Sequence, residues 1–175
     1  MTFPFEKKLA LFFSIILFGF IVMGIATYRN NRSIRETEYR VQHTRQVLLQ
    51  AEEVQSSIQR IILNTRGYII TGNADLIQSN IKSKSNIDEH LSNLKYLTKD
   101  NLPQYLRTDT LARLINQRIE FAHLTITSRK LNGLTAAQQL IVTGKGEQLL
   151  DEIENVINRI QLEENNLLTI REQDY

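Results

Sequence analysis

The residue types that most often carry catalysis or bind metals are few in this sequence and lie far apart. The chain has three histidines, His43, His90 and His123, and no cysteine, which excludes disulfides and thiolate chemistry. Its one Gly-Lys-Gly, at residues 144–146, lacks the longer glycine loop and the following serine or threonine of a nucleotide-binding loop. No nucleophile motif accompanies them. The sequence therefore predicts no catalytic residue, no metal site and no cofactor.

Two of the histidines approach each other only if the fold brings their helices together. His90 follows the Thr-Gly at Gly72 by 18 residues, and His123 precedes the Thr-Gly at Gly144 by 21 residues. If both Thr-Gly pairs mark helix corners at one level, the two histidines lie within about a turn of each other. No carboxylate accompanies them, so we favour surface histidines over a metal site.

A pair of opposite charges depends on the same corners. Arg66 stands six residues before Gly72, and Asp151 stands seven residues after Gly144, so the first and fourth helices should present them at one level. A buried ion pair would set the helix register at a cost in desolvation, whereas an exposed pair would contribute under about 1 kcal/mol. We favour a structural role for this pair over ligand binding.

A second pair involves Glu163, which occupies an apolar seam position of the fourth helix. An unpaired buried carboxylate is costly there. Arg129 lies 15 residues before Gly144 and Glu163 lies 19 residues after it, which is a comparable depth in the fold. Pairing with Arg129 would relieve the cost of burying Glu163.

The elements that position these residues are indicated by two similar stretches, residues 66–75 and 138–147. In each, an apolar run ends in Thr-Gly, and an acidic residue then opens the next amphipathic run. A glycine just after a helix takes the left-handed conformation without a side-chain clash, and the acidic residue suits the positive end of the next helix. We therefore predict Gly72 and Gly144 as the corners of helical hairpins, whether one hairpin is used twice or two turns coincide.

A charge-free segment of 20 residues, 9–28, precedes the first hairpin. About 20 apolar residues at 1.5 Å each cross the roughly 30 Å hydrocarbon layer, so we predict a transmembrane helix at 9–28 after a short cytoplasmic head at 1–8. A cleaved signal peptide is the alternative, with a small-x-small site at Gly24 and Ala26, but its apolar region would be shorter. Basic residues flank both ends, so charge alone leaves the orientation nearly undecided.

The part of the chain after this segment, 29–175, is predicted to form four helices, at about 33–71, 73–99, 104–143 and 147–173. Apolar residues recur at steps of three and four, as in bundled helices. In the first helix this seam comprises Thr44, Val47, Ala51, Val54, Ile58, Ile61, Thr65 and Tyr68. Because the corners are short, the helices form an antiparallel, up-down-up-down four-helix bundle. The predicted fold class is all-α, with an N-terminal transmembrane helix before the bundle.

The apolar sides of the other three helices are less regular. The second helix has Ile77, Ile81, Ile87, Leu91, Leu94 and Leu97. The third helix is predicted to bend at Asn132-Gly133, and it has Leu111, Leu114, Phe121, Leu124, Leu131 and Ile141 facing inward. The fourth helix has Leu149, Ile153, Val156, Ile160, Glu163, Leu167 and Ile170.

Several short motifs occur in a characteristic order. They are Arg66-Gly67-Tyr68 leading to Thr71-Gly72, the connector at 100–104, Ala136-Ala137 before the corner at 143–146, and a stretch at 163–171 with Glu, Leu-Leu and Arg. Together they resemble the CHASE family of extracytoplasmic sensory domains, specifically its third type, over roughly residues 35–172. The resemblance implies a sensing bundle outside the inner membrane, with the N-terminus inside. Such domains occur in sensor histidine kinases, diguanylate cyclases and chemoreceptor-like proteins.

The resemblance also assigns roles to single residues. Glu163, Leu167, Leu168 and Arg171 would form a membrane-proximal signature, where movement enters a second membrane helix expected beyond Tyr175. A charged helix end near lipid headgroups is an equally good interpretation of that signature. The resemblance further implies a parallel homodimer, because the output enzymes of the family act in pairs.

We therefore expect the extracytoplasmic sensor module of a membrane signalling protein, of the histidine kinase type, that passes a change in helix packing across the inner membrane. Its partners would be the lipid bilayer, a second copy of the chain and an unidentified small-molecule or protein signal. A formal net charge of +2, without a basic block interleaved with aromatics, argues against nucleic-acid binding. The alternatives are a structural or scaffolding membrane protein without signalling output, and a released ligand-binding protein with a mature N-terminus near Thr27.

Overall fold

The computed structural model describes residues 5–173, and in this range the chain forms four α-helices and no strand. Helix α1 spans Phe5–Thr71, α2 spans Asp75–Leu97, α3 spans Leu102–Val142 and α4 spans Lys145–Gln173. The prediction of an all-α fold is therefore confirmed. Part of the predicted head at 1–8, and the last two residues of the chain, lie outside the described residues.

Helix α1 is continuous over 67 residues, which is about 100 Å at 1.5 Å per residue. The predicted membrane segment at 9–28 and the predicted first bundle helix at 33–71 are thus parts of one helix. Large apolar side chains between Phe12 and Ile25 are exposed. This N-terminal part of α1 is long and apolar enough to cross a membrane, and no other helix within residues 5–173 meets that criterion.

The bundle core is built around the seam of α1. All eight predicted seam residues, from Thr44 to Tyr68, are buried, with at most 8% of their surface exposed. They share the core with fully buried isoleucines of the later helices, including Ile115 of α3 and Ile153 and Ile157 of α4. Burial of one such side chain contributes roughly 1.5–3 kcal/mol. This common core, more than helix propensity, holds the four helices together.

Helix α2 runs antiparallel to α1 along its whole length. Near one end of α2, the ring Nδ1 of His90 lies 2.9 Å from Gln50 Oε1 of α1. Near the other end, Asn80 Nδ2 donates to the Thr65 hydroxyl at 3.1 Å. The order of these contacts along the two helices places the first corner, after α1, at the end of the bundle remote from the apolar segment.

Helices α3 and α4 form the second antiparallel pair. Gln104, at the start of α3, contacts Glu164 late in α4, and Phe121, further along α3, packs on Gly146 at the start of α4. Helix α3 begins directly after α2 ends, and late in its course Arg129 bonds to the carbonyl of Ile69, late in α1. Helix α3 therefore runs parallel to α1, and the bundle has the up-down-up-down order that was predicted. We call the end that carries the α1–α2 corner the distal end, and the end from which the apolar segment of α1 continues the proximal end.

Two glycines end helices in the left-handed conformation, with φ of +74° at Gly72 and +73° at Gly144. The amide of Gly72 donates to the carbonyl of Tyr68 at 2.7 Å, and the amide of Gly144 donates to the carbonyl of Ile141 at 3.1 Å. These bonds satisfy carbonyls at helix ends that would otherwise lack a partner.

A large departure from a regular bundle lies within α3. Gly133 has φ +86° and ψ −176°, a backbone conformation essentially confined to glycine, with helix on both sides. If α3 were straight, Phe121 and Val142 would lie about 30 Å apart, yet Gly146 packs directly on the Phe121 ring. The chain therefore reverses at Gly133, which is a larger change of direction than the predicted bend. We call residues 134–142, after the reversal, the distal cap.

The distal cap has a small core of its own. Ala137 is fully buried and packs with Tyr68, Ile69 and Ile126. Arg129, just before the reversal, donates from Nε to the carbonyl of Ile69 at 2.8 Å. The cap therefore packs on the end of α1 and on the part of α3 that precedes Gly133.

Some residues predicted to face the core are exposed. They are Ile81, Leu124, Leu131, Ile141 and Ile170. For α2 and α3 the predictions counted large apolar residues only, so they followed the apolar side chains away from the true seams, which in α3 contain several polar residues described below.

Candidate functional site

The distal half of the bundle core contains a buried arginine. Arg118 on α3 is only 6% exposed, and its Nε has no hydrogen-bond partner within the described part of the chain. Among residues 5–173, no ion pair includes it. Burial, and to a lesser extent the nearby positive charge of Arg66, lower the pKa of Arg118 to about 10. A buried charge without a partner opposes folding, so packing alone does not explain this arginine.

Arg118 lines a cavity of about 60 Å³ between α1, α3 and α4, which we call the arginine cavity. Part of its wall is apolar and comprises Ile62, Ile69, Phe121, Ala122 and Ile141. Its charged lining residues are Arg66, Arg118 and Glu147. Of these, Arg66 and Glu147 are exposed, while Arg118 is the buried member.

The N-terminus of α4 packs directly against this arginine. A Cβ at Gly146 would lie 2.8 Å from the Phe121 ring and 3.7 Å from Arg118 Cζ, so a larger residue could not approach this closely. The Arg118 guanidinium stands 5.8 Å from the centroid of the Phe121 ring, within cation–π range. The positive end of the α4 dipole thus adjoins a guanidinium, and both favour negative charge in the cavity.

A second cavity, of about 160 Å³ and mostly apolar, lies between α1, α2 and α3. Its lining includes Ile61, Ile77 and His123. Asn80 also lines it and donates from Nδ2 to the Thr65 hydroxyl, while its buried Oδ1 has no hydrogen-bond partner among the described residues. Apolar contacts would dominate the binding of any molecule in this cavity.

At the proximal end, a buried amide links α3 to α4. Gln104 is fully buried, and its Nε2 donates to Glu164 Oε1 at 2.9 Å and to the carbonyl of Ile160 at 3.2 Å. Its Oε1 accepts from Arg107 Nη1 at 3.0 Å. Glu164 itself is 4% exposed. The amide therefore supplies a donor to a buried carboxylate.

A second proximal contact links α4 to α1. Arg171 donates from Nη1 to the carbonyl of Arg40 at 3.0 Å and to the hydroxyl of Thr44. Leu167 and Leu168, one turn earlier, are half-buried. Three of the four residues of the predicted proximal signature thus lie at the α1–α4 contact or close to it.

The predicted ion pair between Arg66 and Asp151 is wrong, because within residues 5–173 the two side chains do not pair. Both are exposed, and Arg66 lines the arginine cavity together with Glu147, one turn before Asp151. Counting residues from Gly72 and Gly144 predicted how far along the bundle each side chain lies, but not which face of its helix it occupies. Asp151 is two residues from each of the buried Leu149 and Ile153, which places it on the outer face of α4.

The predicted pair between Glu163 and Arg129 is also wrong. Arg129 bonds to the carbonyl of Ile69 at the distal end, whereas Glu163 lies towards the proximal end. The depth of Arg129 was counted along a straight helix to the second corner, and the reversal at Gly133 removes that distance. The buried carboxylate is that of Glu164, and Glu163 is half-buried.

The histidines are not brought together. His90 lies beside α1, with Nδ1 2.9 Å from Gln50 Oε1 and Nε2 4.0 Å from a Glu53 carboxylate oxygen. His123 lines the apolar cavity, nearer the distal end. The expectation that they lie within a turn of each other fails because it too assumed a straight α3. Within residues 5–173 no group of three or more histidine, aspartate and glutamate side chains could hold a metal ion.

The sequence analysis missed the buried polar residues of α3. They are Gln104, Thr108, Arg118 and Thr125. A signal was present, because positions 104, 108, 111, 115, 118, 122 and 125 are separated alternately by four and three residues. This is the seam spacing of a bundled helix. Counting all residue types at that spacing would have placed Arg118 and Gln104 in the core.

Comparisons with known proteins agree with this architecture. The sensor domain of a histidine kinase from Rhodopseudomonas palustris has a similar fold, with a TM-score of 0.65 and 20% sequence identity, over 70% of this chain and 96% of that domain. A search of curated protein sequences gave no significant match. The family model of the CHASE3 domain matches residues 37–174. Because this match spans most of the sequence, the chain belongs to the CHASE3 domain family.

Proposed function

We propose that this chain is the sensor module of a membrane signalling protein of the histidine kinase type, and that its signal changes the packing of α4 on α1. Family membership and the fold of the kinase sensor domain support a sensory role. The observation that carries the mechanism is the contact of Arg171 with Arg40 and Thr44. Arg40 lies about 18 Å along the continuous helix α1 from the apolar segment, so a change in α4 packing there would act on that segment through α1.

The proximal end is suited to two packings of similar free energy. Its described α1–α4 hydrogen bonds are those of Arg171 to Arg40 and Thr44, and Leu167 and Leu168 are only half-buried. Few apolar contacts are therefore lost when α4 shifts along α1. A signal shifts such an equilibrium by the difference in its affinity for the two packings, and helix shifts of about 1–2 Å are typical of such switches.

We place the apolar segment of α1 across the inner membrane and the bundle on the extracytoplasmic side. The exposure of the large side chains between Phe12 and Ile25 supports a lipid environment for them. We also propose a parallel homodimer. Leu49, Leu63 and Ile70 are exposed on the bundle part of α1, and their separations are multiples of seven, the repeat of a helix–helix seam.

The placement of the bundle is tested by labelling a single cysteine. Because the chain contains no cysteine, a Ser92→Cys variant carries one thiol, at an exposed position of α2. We expect a membrane-impermeant maleimide to label it in intact cells from which the outer membrane has been removed. Labelling that appears only after the inner membrane is permeabilised would show the opposite orientation.

The mechanism is tested by asking whether a change at the distal end reaches the proximal end. Nitroxide labels at the exposed Gln46 of α1 and Asn166 of α4 report the proximal distance by electron–electron double resonance in the full chain in nanodiscs. Ala137→Ile overpacks the core of the distal cap, roughly 35 Å away at 1.5 Å per residue along α1. We expect the Gln46–Asn166 distance to change by about 1–2 Å.

The matched control is Gln138→Ile, which adds a similar side chain at the adjacent exposed position of the distal cap. It should leave the proximal distance unchanged. Samples with a single label give the distances between two copies of the chain. These distances are subtracted from the data of the doubly labelled sample, and their presence shows that the chain is a dimer. A proximal distance that is the same in Ala137→Ile, Gln138→Ile and the unsubstituted chain would contradict the mechanism and favour a rigid scaffold.

A further inference from the structure

The arginine cavity has the composition of an anion site. Three helices contribute to it, with Arg66 from α1, Arg118 from α3 and the N-terminal turn of α4 at Gly146. The buried Nε of Arg118 is a donor without an acceptor in the described part of the chain. An unsatisfied donor in the core is unfavourable, and more so on a charged group. A negatively charged acceptor would remove that cost. It would also offset the repulsion between the positive charges of Arg66 and Arg118.

The shape and the lining of the cavity favour a carboxylate among the possible anions. A guanidinium presents its N–H donors in a planar fork that matches the two oxygens of a carboxylate. Much of the remaining lining is apolar and includes Ile62, Ile69 and Phe121. A cavity of about 60 Å³ admits a carboxylate group and a small apolar body, but not a large ligand. The carboxylate of Glu147 on the lining disfavours a second negative charge.

We propose that the arginine cavity binds a small organic monocarboxylate, with Arg118 as its main ligand and Arg66 as the second. This inference rests on the proposed sensory function and names the chemical class of the signal. A bound carboxylate draws α1, α3 and the first turn of α4 towards one centre. It thereby favours one packing of α4 on α1, which is the variable on which the proposed mechanism depends.

The nearby Glu147 gives the proposal an internal comparison. Glu147 lines the cavity, and its carboxylate makes no ion pair with either arginine within residues 5–173. It repels an incoming anion. Removing its charge in Glu147→Gln should therefore strengthen carboxylate binding, whereas removing the charge of Arg118 should abolish it.

The test is thermal unfolding of the full chain in detergent, at constant ionic strength, with acetate or propionate replacing chloride. We expect either carboxylate to raise Tm saturably, because a ligand that binds the folded state stabilises it by mass action. In Arg118→Met the rise should vanish or need at least about tenfold more carboxylate. Arg66→Gln should weaken binding less than Arg118→Met, and Glu147→Gln should strengthen it.

Arg118→Met should fold, because replacing an unpaired buried charge by an apolar side chain of similar volume is often neutral or stabilising. Arg113→Gln, which removes a positive charge from an exposed position of α3, is the control and should bind carboxylate as the unsubstituted chain does. Equal stabilisation of Arg118→Met and the unsubstituted chain would overturn the proposal. So would equal stabilisation by chloride, phosphate and acetate, or no stabilisation by any anion.

The two proposals fail in different ways. If carboxylates do not bind but Ala137→Ile still changes the Gln46–Asn166 distance, the sensory mechanism stands and the carboxylate site is wrong. If carboxylates bind through Arg118 but neither they nor Ala137→Ile change that distance, the site stands as a binding site and the sensory mechanism is wrong.

Discussion

The Gly133→Ala variant should lose about 2–3 kcal/mol of unfolding free energy. Gly133 has φ +86° and ψ −176°, a region that a Cβ makes strongly unfavourable. No other atom lies within 4 Å of the position a Cβ would occupy, so the cost comes from the backbone alone and side-chain repacking cannot relieve it. The measurement is denaturant unfolding of the full chain in detergent, followed by circular dichroism.

Two comparisons separate this backbone effect from a general weakness of the segment. Asn132→Ala, at the adjacent exposed helical position, should change stability by no more than about 0.5 kcal/mol. Asparagine tolerates the left-handed region but not the conformation of Gly133. Gly133→Asn should therefore cost about as much as Gly133→Ala, whereas Gly72→Asn, at φ +74°, should cost less. If Gly133→Ala and Asn132→Ala proved equally stable, the reversal would not be held in the conformation described.

The parts of the fold that could be predicted are those where local signals and packing agree. The seam of α1 was predictable because eight residues keep one spacing without an interrupting proline, and a single helix face then contains them all. The helix ends at Gly72 and Gly144 were predictable because a glycine follows each apolar run, but the second hairpin turns at Gly133 and not at Gly144, since Gly146 already lies beside Phe121. Helix class, order and antiparallel packing follow from those two features.

The sequence indicated a change of chain direction at Gly133 but not how large that change would be. Asn132-Gly133 followed by a new apolar run is compatible with a bend or with a reversal. The outcome depends on which surface the next segment covers, and Ala137 covers the ends of α1 and α3 around Ile69 and Ile126. Predicting a bend instead of a reversal changed the fold only near Gly133. It had a larger effect on the predicted site, because every residue level that was counted back from Gly144 along α3 became wrong.

The candidate site was hidden by residue type. A charged residue such as Arg118 is usually solvent-exposed, so its residue type gave no reason to place it in the core. Its burial results from the approach of Gly146 to Phe121 across the bundle, which is a tertiary contact between helices. Arg66 lines the same cavity as Arg118 and Glu147, and Asp151 is not among the residues that line it.

At the proximal end, Gln104→Leu should lower the unfolding free energy by about 3 kcal/mol. The substitution removes the Nε2 donor that lies 2.9 Å from Glu164 Oε1. Glu164 is 4% exposed, so water cannot readily replace that donor. The carbonyl of Ile160 loses a side-chain donor at the same time. Because leucine is similar in volume to glutamine, most of the loss should reflect the carboxylate that is left without its partner and not a cavity.

A double variant distinguishes these causes. Replacing both partners, in Gln104→Leu with Glu164→Leu, leaves no buried charge to be satisfied, and such replacements are often nearly neutral. We expect the double variant to recover most of the stability lost in Gln104→Leu, to within about 1 kcal/mol of the unsubstituted chain. If the two losses simply add, the amide acts through packing and the bond to Glu164 contributes little. If stability is recovered, an apolar contact can replace the polar contact between Gln104 and Glu164. The polar contact would then serve to define how α3 and α4 pack at the proximal end, and not to stabilise the fold.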